Sequence, residues 1–99
     1  MLFRSAYAAH SISKAGLVHL TRVAARALAP EVRVVAIAPG TVLPPEDLSE
    51  REVAKLAARA PLKRNGSPRD VVDAVLYLIR APFVTGEVLV LDGGRTLTG

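Results

Sequence analysis

His10 and Lys14 stand four residues apart in a stretch that reads as helix. Side chains at i and i+4 share a helix face, so both can reach one pocket. An imidazole titrates near neutrality and is a common general acid. A lysine on an amphipathic helix is ordinarily solvated surface, and nothing in its residue type alone lifts Lys14 above that. Tyr7 lies seven residues before Lys14, two turns away, and does not share its station. His10 and His19 are the only histidines and there are no cysteines, so disulfides and thiolate metal sites are excluded and metal binding has little support. Further on, Pro39-Gly40 stops a β-branched run abruptly. Glycine there allows a backbone to approach a ligand closely; a plain strand-ending turn is the alternative, and one turn can do both.

These residues need elements to hold them. From about Ala8 to Leu28 the chain reads as one long helix, with Leu17, Leu20, Ala24, Ala27 and Leu28 at helical spacing. Ala29-Pro30 ends it, because a residue before proline avoids the helical region. Val32 to Ala38 is β-branched with little alternation, the pattern of a parallel strand buried on both faces. A loop over 41–48 contains Pro44 and Pro45, and Ser49 followed by Glu52 is a capping-box signature for a helix to about Ala60. Pro61 to Gly66 is a basic connector. Ser67 as N-cap, Pro68 in the first turn and Asp70 at the third position open another helix, with Val71, Val75, Leu78 and Ile79 as its apolar stripe. Thr85-Gly86 turns the chain into a second strand, Glu87 to Leu91, closed by Asp92-Gly93-Gly94. The order is helix, strand, helix, helix, strand: an α/β unit of two parallel strands joined by a helical crossover. Two strands form too small a sheet to stand alone.

The chain has 99 residues, 51% of them hydrophobic, a high fraction for a free-standing domain of this size. Both facts predict a part of something larger. The net charge is +4, but the basic residues are dispersed and aromatics are few, so no nucleic-acid partner is expected. The lack of cysteines makes a reducing cytoplasm the expected compartment; no apolar run reaches a membrane span, and the N-terminus lacks a signal-peptide pattern. Residues 1–5 have no structural logic, and Leu2-Phe3-Arg4-Ser5 matches the translation of a common sequencing-adapter end. The natural sequence is therefore expected to begin near Ala6, with 6–99 forming the C-terminal portion of one domain.

Four segments, in order and at fixed spacing, resemble the short-chain dehydrogenase/reductase family: Ser11-Ile12-Ser13-Lys14-Ala15-Gly16; Leu28-Ala29-Pro30 with Val32-Arg33-Val34; Ala38-Pro39-Gly40-Thr41; and Thr85-Gly86 through Leu91-Asp92-Gly93-Gly94. The resemblance runs from about Ala8 to the C-terminus. It implies the C-terminal portion of a doubly wound Rossmann-type parallel sheet, incomplete in these residues. Pro44-Pro45-Glu46, Pro82-Phe83-Val84-Thr85-Gly86 and Arg95 look most like bacterial pteridine-reductase-like members, with a 3-oxoacyl-carrier-protein reductase-like enzyme as the alternative.

The resemblance also implies chemistry. Such enzymes move a hydride between a nicotinamide and a small carbonyl, alcohol or imine carbon while a tyrosine exchanges the proton. NADP or NAD is the implied cofactor, with NADP favoured, and the implied full-length protein is a tetramer or dimer. Lys14 matches the lysine that bonds the nicotinamide ribose and lowers the tyrosine's pKa. Pro39, Gly40, Thr41 and Val42 match the turn whose backbone meets the carboxamide. Val42 to about Pro61 looks like the variable substrate lid, and Asp92, Gly93 and Gly94 look structural, near the face used for tetramer contacts. The departure is His10, which stands where the family has its tyrosine. His10 as proton donor and His10 as bystander in an inactive or differently organised site both stay open. The family's serine falls upstream of residue 1, and Ser5, Ser11 and Ser13 do not match it. The phosphate-binding glycine loop is not among these residues, so the chain alone is expected to be inactive. The rival function is a non-catalytic binding or scaffold subunit that lost its acid.

Overall fold

The computed structural model describes the backbone of residues 2–98 and the side chains of residues 11–97. The elements run α1 (Leu2–Leu28), β1 (Ala36–Pro39), α2 (Glu50–Arg59), α3 (Pro68–Arg80), β2 (Val88–Leu91) and a closing 3₁₀ turn (Arg95–Thr98). This is the expected order. The chain divides into two compact units, Met1–Ala36 with Pro82–Val88, and Ile37–Ala81 with Leu89–Gly99.

In the first unit α1 begins at Leu2, six residues before the expected start, so residues 2–5 are helical. Alanine and leucine, among the best helix formers, dominate it. It stops where expected, at Leu28, with Val32 N–H bonding back to the Leu28 carbonyl at 2.9 Å. Its described buried face is not the leucine stripe. Thr21 and Ala25 are buried, while Leu17, Leu20 and Leu28 are exposed. The Thr21 hydroxyl satisfies itself on the Leu17 carbonyl at 2.7 Å. Ala25 faces Gly86, whose φ of 73° suits glycine.

The expected strand over 32–38 is shorter in the structure. Val34 does pair with the second strand's approach, but its N–H goes to the Thr85 hydroxyl (3.1 Å) while its carbonyl accepts from Gly86 N–H (2.7 Å). A side chain thus replaces one rung, and a continuous ladder starts only at Ala36. Ala36 N–H to Glu87 and Gly40 N–H to Leu91 advance in step along both segments, the register of a parallel pair. The strands are half-buried rather than buried on both faces, because a two-stranded sheet has few neighbours to cover it.

In the second unit both helix starts follow the sequence signals. Ser49 caps α2, accepting from Glu52 N–H at 3.1 Å, but the Glu52 carboxylate returns to the serine hydroxyl and not to its backbone. Ser67 and Asp70 form a complete reciprocal box on α3. The small core is Ala60, Ala74 and Leu78, with the expected stripe residues Val75 and Ile79 left exposed. Burying the Leu78 side chain is worth roughly 1.5–3 kcal/mol.

Candidate functional site

The expected site residues fall in both units. Lys14 lies on α1 with an exposed side chain, as do Ser11 and Ser13, which supports reading the serines as ordinary polar positions. His10 is one turn earlier on the same helix, and Tyr7 two turns earlier. The side chains of His10 and Tyr7 lie outside the described residues, and so does any statement of what they touch.

The second group is the turn after β1. Gly40 N–H closes the ladder on the Leu91 carbonyl at 2.8 Å, and Thr41 and Val42 then leave the sheet. Gly40 has a packing reason to be glycine. A Cβ there would sit 3.0 Å from both Cα and Cβ of Asp92, closer than most side-chain contacts. Gly40, Thr41 and Val42 line a cavity of about 590 Å³, closed on other sides by α2 (Leu56, Arg59) and by the Asp92-Gly93 turn. Pro39 precedes this wall and is exposed. The volume lies within the usual range of small-molecule sites.

The Asp92 turn is internally satisfied. Gly94 N–H and Thr96 N–H donate to its two carboxylate oxygens at 2.9 and 3.0 Å. Burial pushes the Asp92 carboxyl up, but the bonds from Thr96, Gly94 and Arg95 outweigh it and leave it below its ordinary value. A Cβ on Gly93 (φ 61°) would lie 3.2 Å from Ala60 Cβ and one on Gly94 (φ 88°) 3.0 Å from Pro61 Cγ, and Leu62 N–H donates to the Gly93 carbonyl at 3.1 Å. The trailing end of α2 is pinned to this turn.

Sequence reasoning passed over the segment 64–70 as a connector and a cap. In the structure it is organised around one carboxylate. Arg64 donates from both terminal nitrogens to the two Asp70 oxygens, at 3.0 and 3.1 Å. Ser67 N–H adds a 2.7 Å bond to Asp70. The Arg64 guanidinium, and after it the Ser67 amide, hold the Asp70 carboxyl well below the usual carboxylate range; Asp70 in turn raises Arg64. Gly66, between them, donates to the Thr41 carbonyl at 2.7 Å. The spacing Arg64–Asp70 is the one signal that could have suggested the pair.

A nicotinamide carboxamide carries an N–H₂ donor and a carbonyl acceptor, so its partner needs one acceptor and one donor close together. Val42 offers both: neither its N–H nor its carbonyl has a hydrogen-bond partner among the described residues, and Val42 lines the cavity. The donor set fits such a group. No cluster of three or more metal-ligating side chains exists among the described residues.

The family model described as enoyl-(acyl carrier protein) reductase matches residues 3–96. A short-chain dehydrogenase of Leptospira borgpetersenii, solved with bound NAD+, superposes with a TM-score of 0.76 at 36% identity, over 87% of this chain and 34% of that one. The chain belongs to the short-chain dehydrogenase/reductase family. Among its relatives in this family are the 3-oxoacyl-[acyl-carrier-protein] reductase of Bos taurus (40% identical over 97 residues; 95% of this chain, 40% of that protein) and a dihydromonapterin reductase of Escherichia coli (42% over 89 residues; 90% and 37%). FolM alternative dihydrofolate reductase 1 of Brucella canis, solved with NADP, gives a TM-score of 0.77 at 37% identity, over 87% of this chain and 33% of its own. The chain thus spans between about a third and two fifths of the length of the short-chain dehydrogenase/reductases it matches. Its α/β order is that of a partial Rossmann fold.

Proposed function

We propose that these residues supply the lysine helix, the nicotinamide-facing turn and the lid of an NAD(P)-dependent reductase that acts on a small carbonyl or pteridine-like substrate, with NADP preferred. The observation that carries this reading is the unpartnered amide and carbonyl of Val42 on the cavity wall beside Gly40 and Thr41. The relatives that reduce 3-oxoacyl and pterin substrates, and the NADP held by the Brucella canis protein, support the substrate class and the cofactor.

In this reading the cofactor supplies the hydride, and the chain's own residues do the rest. Val42 orients the carboxamide through its backbone. Lys14 donates to the nicotinamide ribose and, through its positive charge, favours loss of a proton from a neighbouring acid. In the same reading His10, one turn before Lys14 on α1, holds that proton. The lid from Val42 to about Pro61 sets substrate choice. Residues 6–99 belong to the C-terminal portion of the domain, and the chain by itself is inactive because it carries no phosphate-binding glycine loop. The complete protein is a cytoplasmic homo-oligomer without nucleic-acid or membrane partners. No helix among the described residues is long and apolar enough to cross a membrane.

The test is cofactor oxidation by the complete parent protein, followed by Lys14→Met and His10→Ala. Loss of the lysine is expected to lower kcat by about a hundredfold or more, the usual weight of acid–base assistance. Absence of any NADH or NADPH binding in the parent protein would refute the proposal.

A second reading rests on His10 itself. Histidine in the tyrosine's station favours a non-catalytic binding or scaffold subunit. Cofactor binding without turnover, unchanged by His10→Ala, is its signature.

A further inference from the structure

The short connector between α2 and α3 does more than join helices. Four consecutive residues, Arg64 to Ser67, are wrapped around the Asp70 carboxylate. Arg64 grips both oxygens and donates also to the Asn65 carbonyl at 3.0 Å. The Asn65 amide reaches back to the Val53 carbonyl on α2 at 3.3 Å, and Ser67 binds Asp70 through both its N–H and its hydroxyl. Gly66 is thereby held in a fixed pose. A Cβ on it would lie 3.4 Å from the Thr41 carbonyl oxygen, 3.4 Å from a Val42 methyl and 3.6 Å from the Asp70 carboxylate. Its N–H makes the 2.7 Å bond to Thr41.

That bond is the one hydrogen bond that the backbone of Thr41 and Val42 makes among the described residues. A loop segment with a single tether takes its position from it. An arginine–carboxylate fork is strong in geometry as well as energy, because two parallel bonds fix both groups in one plane.

We propose that Arg64 and Asp70 are positioning residues for the cofactor-facing turn, acting through the Gly66 amide on Thr41 and so on Val42. This rests on the reading of Val42 given under Proposed function. The pair itself borders the same cavity; in this proposal it acts through the turn and on no reacting atom. Its effect is to pre-organise the carboxamide's partners, so it governs how well the cofactor is held and not how fast the held cofactor reacts.

The experiment compares Asp70→Asn, Arg64→Met and Arg64→Lys in the complete parent protein, by fluorescence titration with NADPH and by steady-state kinetics. The control is Arg69→Ala, which breaks only an open pair with Asp73 on the same helix, at 3.5 Å. In Asp70→Asn and Arg64→Met the cofactor KM and Kd rise about tenfold, the scale of a lost charge-assisted bond. At saturating cofactor kcat stays within about twofold of the parent value, since an effect confined to binding leaves the chemical step alone. Arg64→Lys, which keeps the charge but not the fork, falls between, and Arg69→Ala changes nothing. Amide exchange at Gly66 quickens in Asp70→Asn. Should Asp70→Asn fail to fold, Arg64→Met decides, because the Arg64 side chain is 59% exposed and its loss opens no core. A parent protein that binds NADPH, with Kd unmoved in these variants or with kcat falling as KM stays put, overturns the positioning role and leaves the proposed function standing. A parent that binds neither NADPH nor NADH overturns both.

Discussion

The backbone of Asp92 occupies the space in which a side chain on Gly40 would begin, with Cα and Cβ each 3.0 Å from that point. One end of the parallel strand pair therefore packs tightly on the turn that closes the other strand, and a methyl group fits there only if Asp92 gives by a few tenths of an ångström. Gly40→Ala has to displace backbone, not a flexible side-chain tip. Overpacking of that kind costs about 1–3 kcal/mol. Urea unfolding of the parent protein should show a lower midpoint for Gly40→Ala with an unchanged slope. An unshifted midpoint would mean that the two turns move apart freely.

The two capped helices give a graded comparison. Ser67 and Asp70 bond reciprocally, each side chain to the other's backbone, while Ser49 has the forward half alone. Ser67→Ala should cost about 1 kcal/mol or more and Ser49→Ala less, within the range known for lost N-caps. Each change also removes a hydroxyl bond, Ser67 to Asp70 at 3.1 Å and Ser49 to Glu52 at 3.3 Å. Chemical denaturation of the two single variants measures the order; equal losses would deny the box any added weight.

These starts show what was legible in the sequence and what was not. Ser67-Pro68-Arg69-Asp70 carries its own helix start within four residues, and the structure places α3 there. The turns at Pro39-Gly40 and Asp92-Gly93-Gly94 were equally plain. Val32 to Val35 misled, because β-branched residues favour extended chain whether or not a ladder forms, and the Thr85 hydroxyl takes the bond that a strand neighbour would have supplied. The leucine stripe of α1 misled for a related reason: periodicity reports a face meant to be covered, and covering needs a partner layer. The tether from Gly66 to Thr41 spans 25 positions and has no periodic trace, so Arg64 and Asp70 passed as connector and cap. The substitution of His10 for a tyrosine was visible at once, since it needs no fold to be read.

Acid should weaken the second unit through Asp70. Its carboxyl is held low by Arg64 first and by the Ser67 amide next. A carboxyl with a depressed folded pKa contributes stability that is fully present above its unfolded value, about 3.9, and that drains away as the pH falls toward the folded value. The expected profile is flat from neutrality down to about pH 5 and then declines, with Asp92 adding to the same limb. In Asp70→Asn the decline should be shallower. Midpoints of urea unfolding between pH 7 and pH 3 check this, and a variant profile parallel to the parent's would remove Asp70 from the account.

The 99-residue chain expressed by itself should be sticky and poorly cooperative. Its described buried apolar residues are Ala25 in one unit and Ala60, Ala74 and Leu78 in the other, so Leu78 is the one large side chain among them, while Ile12 (73%), Leu20 (61%) and Ile79 (64%) stand open along their helices. Apolar burial is the main favourable contribution to folding, and a core this small cannot offset the chain entropy lost by ordering. The isolated chain should bind an apolar dye such as anilinonaphthalene sulfonate, keep far-ultraviolet helical signal and lack a sharp calorimetric transition. Co-expression with the remaining part of the proposed parent protein should abolish the dye signal and restore a single transition. A lone chain that melts sharply, stays monomeric and ignores the dye would show that the open leucine and isoleucine faces need no covering.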